Sequence, residues 1–234
     1  MSNIRRIIES GAIVTALVTP LAMTAQAPGT WVLTPYAGAF VPSGDIGRLS
    51  LAGGGFSAAA QLKHENALAL GGTASYWFAD RMAVEFGGAY AFSHTIGSFQ
   101  SSDPTQGNVF FSGSEAAHVT MGSAKLMFAL LPTSNSTQLR FGIGPAIISR
   151  GGTAYKGDAD GKIEGLTNVG GVASLCTRIP LTNMLALRIR AENYMYQSQL
   201  KWRAYADPSS NMNFDRRFQN DFIFSGGLQI HFNP

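Results

Sequence analysis

Two short pairs in the sequence place a histidine beside a second group that acid–base chemistry uses. Ser93 precedes His94, and His64 precedes Glu65. A nucleophilic serine needs a histidine base within hydrogen-bond reach, and that base is in turn oriented by a third group. Both pairs lie near predicted loops, which favours surface or loop-packing histidines. The sequence contains no phosphate loop, nucleophile elbow or zinc-binding pair, so we predict no catalytic residue, no cofactor and no enzyme.

The segment 158–164, DADGKIE, is similar to the start of a calcium-binding loop. The full loop needs a third ligand position before its glycine and a glutamate at its twelfth place. Both are missing, which favours a solvated loop and no metal site. The single cysteine, Cys176, excludes an internal disulfide. Because no histidine lies near it in the sequence, we expect a packing residue and not a nucleophile.

The most regular chemical signal is a set of charges that alternate with apolar residues. Arg188, Arg190 and Glu192 alternate with leucine, isoleucine and alanine, a pattern that suits neither a helix nor a soluble core. The same alternation assigns seven charged residues to one interior face: Glu85, Lys125, Arg140, Arg188, Arg190, Glu192 and Asp221. Buried charges persist when they are paired and hydrogen-bonded. We predict an ion-pair network that closes a narrow lumen, with a gated conduit as the alternative.

Long strands must position these charges, and the stretch 218–232, FQNDFIFSGGLQIHF, shows the pattern most clearly. Its even-numbered positions are mostly phenylalanine, leucine and isoleucine, whereas Gln219, Ser225, Gln229 and His231 lie on the other face. A period of two belongs to a strand, and strands in soluble sheets are usually about 5–6 residues long. A strand of this length with one apolar and one polar face is typical of a bilayer crossing.

Alternation elsewhere predicts eight strands joined by three short turns and four long loops. The strands are 30–41, 68–78, 82–92, 117–131, 138–148, 166–179, 185–198 and 218–232. The turns are 79–81, 132–136 and 180–183, and the loops are 44–66, 94–116, 150–165 and 199–217. This layout predicts an all-β fold, an eight-stranded antiparallel up-and-down transmembrane β-barrel, whose closure removes the strand edges. A secreted β-sandwich is the alternative.

The N-terminus predicts export. Arg5 and Arg6 precede a mostly apolar stretch that ends in Ala25-Gln26-Ala27, which is the pattern of a secretory signal peptide cleaved after Ala27. We therefore divide the chain into a signal peptide, 1–27, and a barrel domain, 28–234. The formal net charge of +3 is too small to indicate a nucleic-acid partner.

Three segments resemble the small outer-membrane β-barrel family, the OmpA- and OmpW-like transmembrane domains. TPYAGAFVPSGDIG (34–47) and ALGGTASYWFADRMAVEFGGAYAF (69–92) resemble its first three strands. The last strand resembles its assembly signal, with Ser225, Gly227, Ile230 and Phe232 at the matching positions, although two further residues follow. The resemblance implies recognition by the barrel-assembly machinery, and we expect no peptidoglycan-binding domain.

We expect a bacterial outer-membrane protein with both termini in the periplasm, in contact with lipid and lipopolysaccharide, and monomeric. The leading hypothesis is a non-enzymatic barrel with a structural or surface-interaction role. The alternative is a narrow passive channel for small or hydrophobic solutes, as the resemblance to OmpW-like proteins implies. Lipid A modification ranks third, because the two histidine pairs lack the His-x-Ser spacing of the barrels that carry it out.

Overall fold

The computed structural model describes residues 28–53, 56–103, 107–130, 137–157, 161–206 and 211–232. The predicted signal peptide and the predicted turn 132–136 lie outside these residues. The described chain consists of β-strands and one short 3-10 turn, Thr153–Tyr155. The strands are β1 (Thr30–Val41), β2 (Gly47–Gly53), β3 (Phe56–His64), β4 (Ala67–Ala79), β5 (Met82–Asp103), β6 (Gly107–Ala129), β7 (Gln138–Gly152), β8 (Gly161–Glu164), β9 (Thr167–Pro180), β10 (Leu185–Ser198), β11 (Lys201–Ala204), β12 (Met212–Asn213) and β13 (Arg217–Phe232).

Eight strands form a closed antiparallel ring in the order β1, β4, β5, β6, β7, β9, β10, β13. The last strand returns to the first, with Trp31 opposite Phe232 and Val41 opposite Phe222. Each of the eight ring strands is paired with a neighbour on both sides, as a lipid environment requires. The predicted eight-stranded barrel is confirmed, and the short turns at 79–81 and 180–183 join the predicted strands.

The ring has an apolar outer face, as the alternation predicts, and an interior that combines charged and polar side chains with buried apolar ones such as Phe40, Met121 and Ile148. Leu68, Phe86, Ile189 and Phe224 point outward and are exposed. On each of their strands, the residues that alternate with them point into the lumen. This inverted arrangement suits a barrel surrounded by hydrocarbon, whose outer face gains nothing from polar groups. No helix in the described part of the chain is long and apolar enough to cross a membrane.

Strands β5 and β6 continue far beyond the ring and pair with each other as far as Asp103 opposite Gly107. Strand β3 joins β5 from Thr95 to Ser102, and β2 pairs with β3, so that four strands form an outer sheet. A second small sheet combines β8, β11 and β12 from the last two predicted loops. The four predicted long loops do lie between the ring strands, but the expectation that they are loops throughout was wrong, because serine-, glycine- and alanine-rich segments within them pair as strands where β5 and β6 extend beyond the ring.

The polarity of the two faces is reversed in this outer extension, which comprises β2, β3 and the pairing parts of β5 and β6, 95–103 and 107–115. Leu62, Phe99 and Phe111 continue the inward-facing row of the ring, whereas Ser98 and Ser112 face outward. A sheet with apolar residues inside and polar residues outside is surrounded by water and not by lipid. The reversal marks the level at which the barrel leaves the membrane.

Candidate functional site

Five of the predicted interior charges meet at one level of the lumen. Glu85 on β5 lies directly opposite Lys125 on β6 in the strand register. Strand β10 contributes Arg188, Arg190 and Glu192 from the far side, since it lies four positions from β5 in the eight-strand ring. Their alternation with apolar residues turns each side chain inward. Residues about a hundred positions apart in sequence thereby converge across the barrel.

We call these five residues the lumen network, and Glu85 lies at its centre. Lys125 Nζ is 3.0 Å from Glu85 Oε1, and Arg188 Nη1 donates to Glu85 Oε2 at 2.5 Å. Arg190 bridges both acids, 3.6 Å from Glu85 Oε1 and 3.4 Å from Glu192 Oε2. Lys125 also donates to Glu192. All five side chains are at most 2% exposed, so the pairs lie where solvent screening is weakest.

Neutral side chains fill the space around the lumen network. Ser75 Oγ donates to Glu85 Oε2 at 2.8 Å, and Tyr194 Oη donates to Glu192 Oε2 at 3.3 Å. The Arg190 guanidinium lies 4.1 Å from the ring centroid of Tyr36. That ring fits only because Gly71 has no side chain, since a Cβ there would lie 2.4 Å from Tyr36. Side chains therefore fill the cross-section of the barrel at this level, as expected from the small diameter of an eight-stranded barrel.

The other two predicted charges lie at opposite ends of the lumen. Asp221 accepts a hydrogen bond from Tyr196 and another from the Ser43 backbone N–H at 3.2 Å. Arg140 lies toward the short turns, where it donates to Gln138 Oε1 at 2.5 Å and stacks 4.5 Å from the Trp77 ring centroid. The described ion pairs thus join five of the seven predicted charges, and the described contacts of Arg140 and Asp221 are with other residues.

The sequence analysis did not identify Arg150, which lies at the outer end of the lumen and shares the partner Tyr196 with Asp221. Arg150 donates to Asn168 Oδ1 and to Tyr196 Oη, each at 2.7 Å. The signal was present, because Arg150 continues the inward-facing even positions of β7 past the predicted end of that strand at Ile148.

At the outer rim, His64, Thr95 and Tyr155 form a buried polar cluster. Tyr155 Oη lies 3.0 Å from His64 Nε2 and accepts a hydrogen bond from Thr95 Oγ1 at 3.1 Å. Burial, assisted by the positive charge of Arg150, lowers the pKa of His64 to about 4. Burial raises the pKa of Tyr155 to about 12. His64 is therefore neutral at physiological pH and serves as a packing and hydrogen-bonding group.

The pair Ser93 and His94 lies next to this rim cluster in the chain, because Thr95 follows it directly. His94 is exposed, and its Nδ1 is 3.9 Å from a carboxylate oxygen of Glu65. The Ser93 hydroxyl lies within hydrogen-bond distance of two backbone carbonyls, Glu65 O at 2.9 Å and His94 O at 3.1 Å, and its single proton is directed to them. The described geometry brings the serine hydroxyl to main-chain oxygens and not to an imidazole.

The segment compared with a calcium loop is described only in part, since residues 158–160 lie outside the described chain. Its remainder forms β8, where Lys162 Nζ lies 2.9 Å from Glu164 Oε1. This hydrogen-bonded pair raises the pKa of Lys162 and lowers that of Glu164. The described residues contain no group of three histidine, cysteine or acidic side chains placed to hold a metal ion.

Cys176 and the predicted assembly signal occupy ordinary strand positions. Cys176 is buried on the lumen side, where its Sγ accepts a hydrogen bond from Arg188 Nη2 at 3.3 Å. The signal residues lie on β13, with Ser225 and Gly227 facing inward beside β1 and with Ile230 and Phe232 facing outward toward the short-turn end. Their role in assembly stays a prediction.

The closed ring, the apolar outer face and the filled lumen together define the fold of an outer-membrane β-barrel protein. Neither a protein-family model nor a curated protein sequence matches the chain. Among solved structures, the outer-membrane protein OprG from Pseudomonas aeruginosa is similar, with a TM-score of 0.62, 12% identity, and coverage of 91% of this chain and 100% of OprG. The outer-membrane protein AlkL, in lipid bilayers, gives a TM-score of 0.58, 16% identity, and coverage of 92% and 96%. These similarities confirm the predicted small-barrel fold.

Proposed function

We propose that this chain is a non-enzymatic outer-membrane protein with a closed lumen, whose outer extension carries a structural or surface-interaction role. The lumen network is the observation that carries the proposal. Three basic and two acidic side chains span the barrel between β5, β6 and β10, and their charged atoms are within 3.6 Å of a partner. Leaving one member of such a buried pair without its partner costs about 3–5 kcal/mol, which favours the closed arrangement.

The outer extension supports the surface-interaction part of the proposal. Its apolar inward face and polar outward face suit a sheet that stands in water above the membrane. Three aromatic side chains of the extension are exposed: Phe110 on the outward face (70%), and Phe111 (69%) and Phe99 (41%) in the inward row. Residues 107–116 of β6 are exposed, and the register of β6 with β7 starts only at Ala117. Exposed aromatic residues and strand edges are typical of contact surfaces.

Planar-bilayer conductance tests the closed lumen. The refolded wild-type protein is expected to give no steady single-channel steps. A variant with Glu85→Ala, Lys125→Ala and Arg190→Ala removes charged side chains from the same level and is the positive control, with measurable conductance expected. Slower migration after boiling verifies the barrel in both samples. Steady, sizeable steps from the wild type would contradict the proposal.

A second candidate, passive passage of small hydrophobic solutes, is favoured by one cavity in the outer extension. The cavity has a volume of about 370 Å³ and is lined mainly by apolar or small side chains, including Leu62, Gly97, Phe99, Phe111 and Phe214. Small-molecule sites of this kind are concave and mostly apolar. Entry of an apolar fluorescent solute into proteoliposomes tests this candidate. It fails if the wild type gives the same rate as empty liposomes or as a Phe99→Gln variant.

The proposed location is the bacterial outer membrane, with the short-turn end and both termini in the periplasm and the outer extension outside the cell. The apolar ring surface and the reversed polarity of the extension support this orientation. Contact with lipopolysaccharide at the outer leaflet and a monomeric state belong to the same proposal. Protease treatment of intact cells is expected to cleave within the extension, for example after Lys63, and cleavage confined to the short turns would contradict the orientation.

A further inference from the structure

A second group of polar side chains occupies the lumen between the lumen network and the short turns. It consists of Trp77, Arg140, Arg178, Gln229 and His231, and we call it the periplasmic-end cluster. Trp77 lies two residues before the turn at 79–81, and Arg178 lies two residues before the end of β9. All five side chains are buried, so this end of the lumen is rich in hydrogen-bond donors that have little competition from solvent.

The charges of the described lumen residues do not balance. The basic residues are Lys125, Arg140, Arg150, Arg178, Arg188 and Arg190, and the acidic residues are Glu85, Glu192 and Asp221. Glu85 and Glu192 are bound by the three bases of the lumen network, and Asp221 lies at the opposite mouth with Tyr196. No described carboxylate forms an ion pair with Arg178. Of the three excess positive charges, one belongs to the lumen network and two, Arg140 and Arg178, lie at the periplasmic end.

Arg178 carries part of this excess in an unfavourable position. It lies directly across from Arg188 on β10 in the strand register, and its other neighbour, on β7, is Gln138. Like charges that face each other across a strand pair are destabilising. Arg178 is only 5% exposed, and its Nη2 is 3.5 Å from His231 Nε2. A buried guanidinium of this kind is stabilised by an anion that also satisfies its hydrogen-bond donors.

Three donors of the periplasmic-end cluster have no hydrogen-bond partner among the described residues. They are Arg178 Nε, the indole Nε1 of Trp77 and the amide Nε2 of Gln229, and the only acceptor beside them in the same condition is the amide Oε1 of Gln229. Buried polar groups are nearly always hydrogen-bonded, so each of these donors is expected to meet a bound water, ion or ligand. The donors come from β4, β9 and β13, and the Arg140 guanidinium lies over the Trp77 ring. Since donors predominate, the matching group is an acceptor with several oxygens.

We propose that the periplasmic-end cluster binds one small oxyanion, a phosphate or a carboxylate, with Arg178 as the principal ligand. A guanidinium presents two parallel N–H groups that match two oxygens of such an anion. The anion would neutralise the charge that Arg178 adds beside Arg188 and would accept from Trp77 and Gln229. The site lies below the lumen network, so the anion enters from the periplasm and does not need an open barrel. This proposal goes beyond the closed-barrel function and does not depend on what the outer extension contacts.

Calorimetric titration of the refolded protein tests the site. The protein is prepared in a maltoside detergent, which carries no phosphate, and inorganic phosphate or acetate is added at constant ionic strength set by chloride. The wild type is expected to bind one phosphate or one acetate with a saturable heat. Arg178→Gln is expected to weaken binding at least tenfold.

Arg150→Gln is the matched control, because Arg150 is also a buried lumen arginine on an inward-facing position. It differs in having described partners, Asn168 and Tyr196, at the opposite mouth. Phosphate affinity is expected to change less than twofold in this variant. Equal weakening in both variants would mean that general lumen charge attracts the anion, and the site would be rejected.

A second variant keeps the test decisive if Arg178→Gln fails to form a heat-modifiable barrel. Trp77→Phe keeps the aromatic ring beneath Arg140 and removes only the indole N–H, and a severalfold loss of phosphate affinity is expected. Unchanged affinity in Trp77→Phe together with a failed Arg178→Gln would overturn the proposed ligand set. Absence of saturable heat with both phosphate and acetate in the wild type would overturn the site itself.

Discussion

The ring interior and the interior of the outer extension are built partly from the same two strands, β5 and β6, yet they contain opposite kinds of side chain. Within the ring, β5 and β6 turn Glu85 and Lys125 inward and Phe86 outward. Beyond the ring, the inward row continues with Phe99 and Phe111, which are 41% and 69% exposed, while Ser98 lies on the other face of the strand. The inward row is continuous, so the backbone does not change face between the two regions.

The comparison shows that the medium outside the strand determines the chemistry of both faces. Where lipid surrounds the sheet, apolar side chains cover the outside and the polar residues collect in the lumen. Where water surrounds it, apolar side chains gain by turning inward. The change occurs over a few residues, between Phe92 and Gly97 on β5. A single strand thus records the membrane boundary in its sequence.

The largest expected difference between the two regions is in the free energy of unfolding when one acidic side chain is neutralised. Glu85→Gln leaves Lys125, Arg188 and Arg190 with one acidic partner, Glu192, and is expected to lower the free energy of unfolding by about 3–5 kcal/mol. Glu115→Gln on the same strand pair, at an exposed position of the extension, is expected to change it by less than about 0.5 kcal/mol. Urea unfolding in lipid vesicles measures both. Similar losses would mean that the lumen network does not stabilise the barrel.

The cost of an arginine substitution on the outward face depends on whether lipid or water surrounds that part of the strand. Phe224 in the ring and Phe110 in the extension are both outward and exposed. Phe224→Arg is expected to cost roughly 2–4 kcal/mol if it lies near the bilayer midplane, whereas Phe110→Arg is expected to cost almost nothing. Ser225→Arg places the same group in the lumen, where it acts through crowding.

The folded fraction of each arginine variant in vesicles is the measurement. No damage at Phe224 would contradict the assigned membrane face, and equal damage at Phe110 would place the extension in lipid.

The smallest expected effect concerns the rim between the two regions, where His64 is buried. Its pKa is about 4 in the folded protein and about 6.5 when unfolded. As the pH falls, His64 is protonated in the unfolded state before it is protonated in the folded state. The contribution of neutral His64 to folding stability is therefore present above pH 6.5 and is lost as the pH drops toward 4. At pH 5 the loss is about 2 kcal/mol for opening of the rim.

Hydrogen exchange of the β3 amides, compared between wild type and His64→Gln at pH 7 and pH 5, measures this opening. The wild type is expected to lose protection relative to the variant only at pH 5. An identical pH response in both proteins would exclude His64 as the cause.

The sequence by itself determined the strands of the ring and the face of each side chain. Alternation at Leu187, Arg188 and Ile189 or at Phe224 and Ser225 identifies inside and outside, because successive residues of a strand point to opposite faces. The same local rule predicted that Glu85 and Lys125 face the lumen. The outer extension escaped notice because its serines, glycines and alanines alternate weakly and with reversed polarity.

Only the tertiary structure decided at which height in the barrel each side chain lies and which partner it meets. Asp221 and Arg140 share the lumen face with Glu85, yet they lie near opposite ends and join different clusters. Height depends on the tilt and stagger of the strands when the ring closes, and alternation carries no information about either. Pairs such as Glu85 and Arg188, 103 positions apart, are created by closure alone.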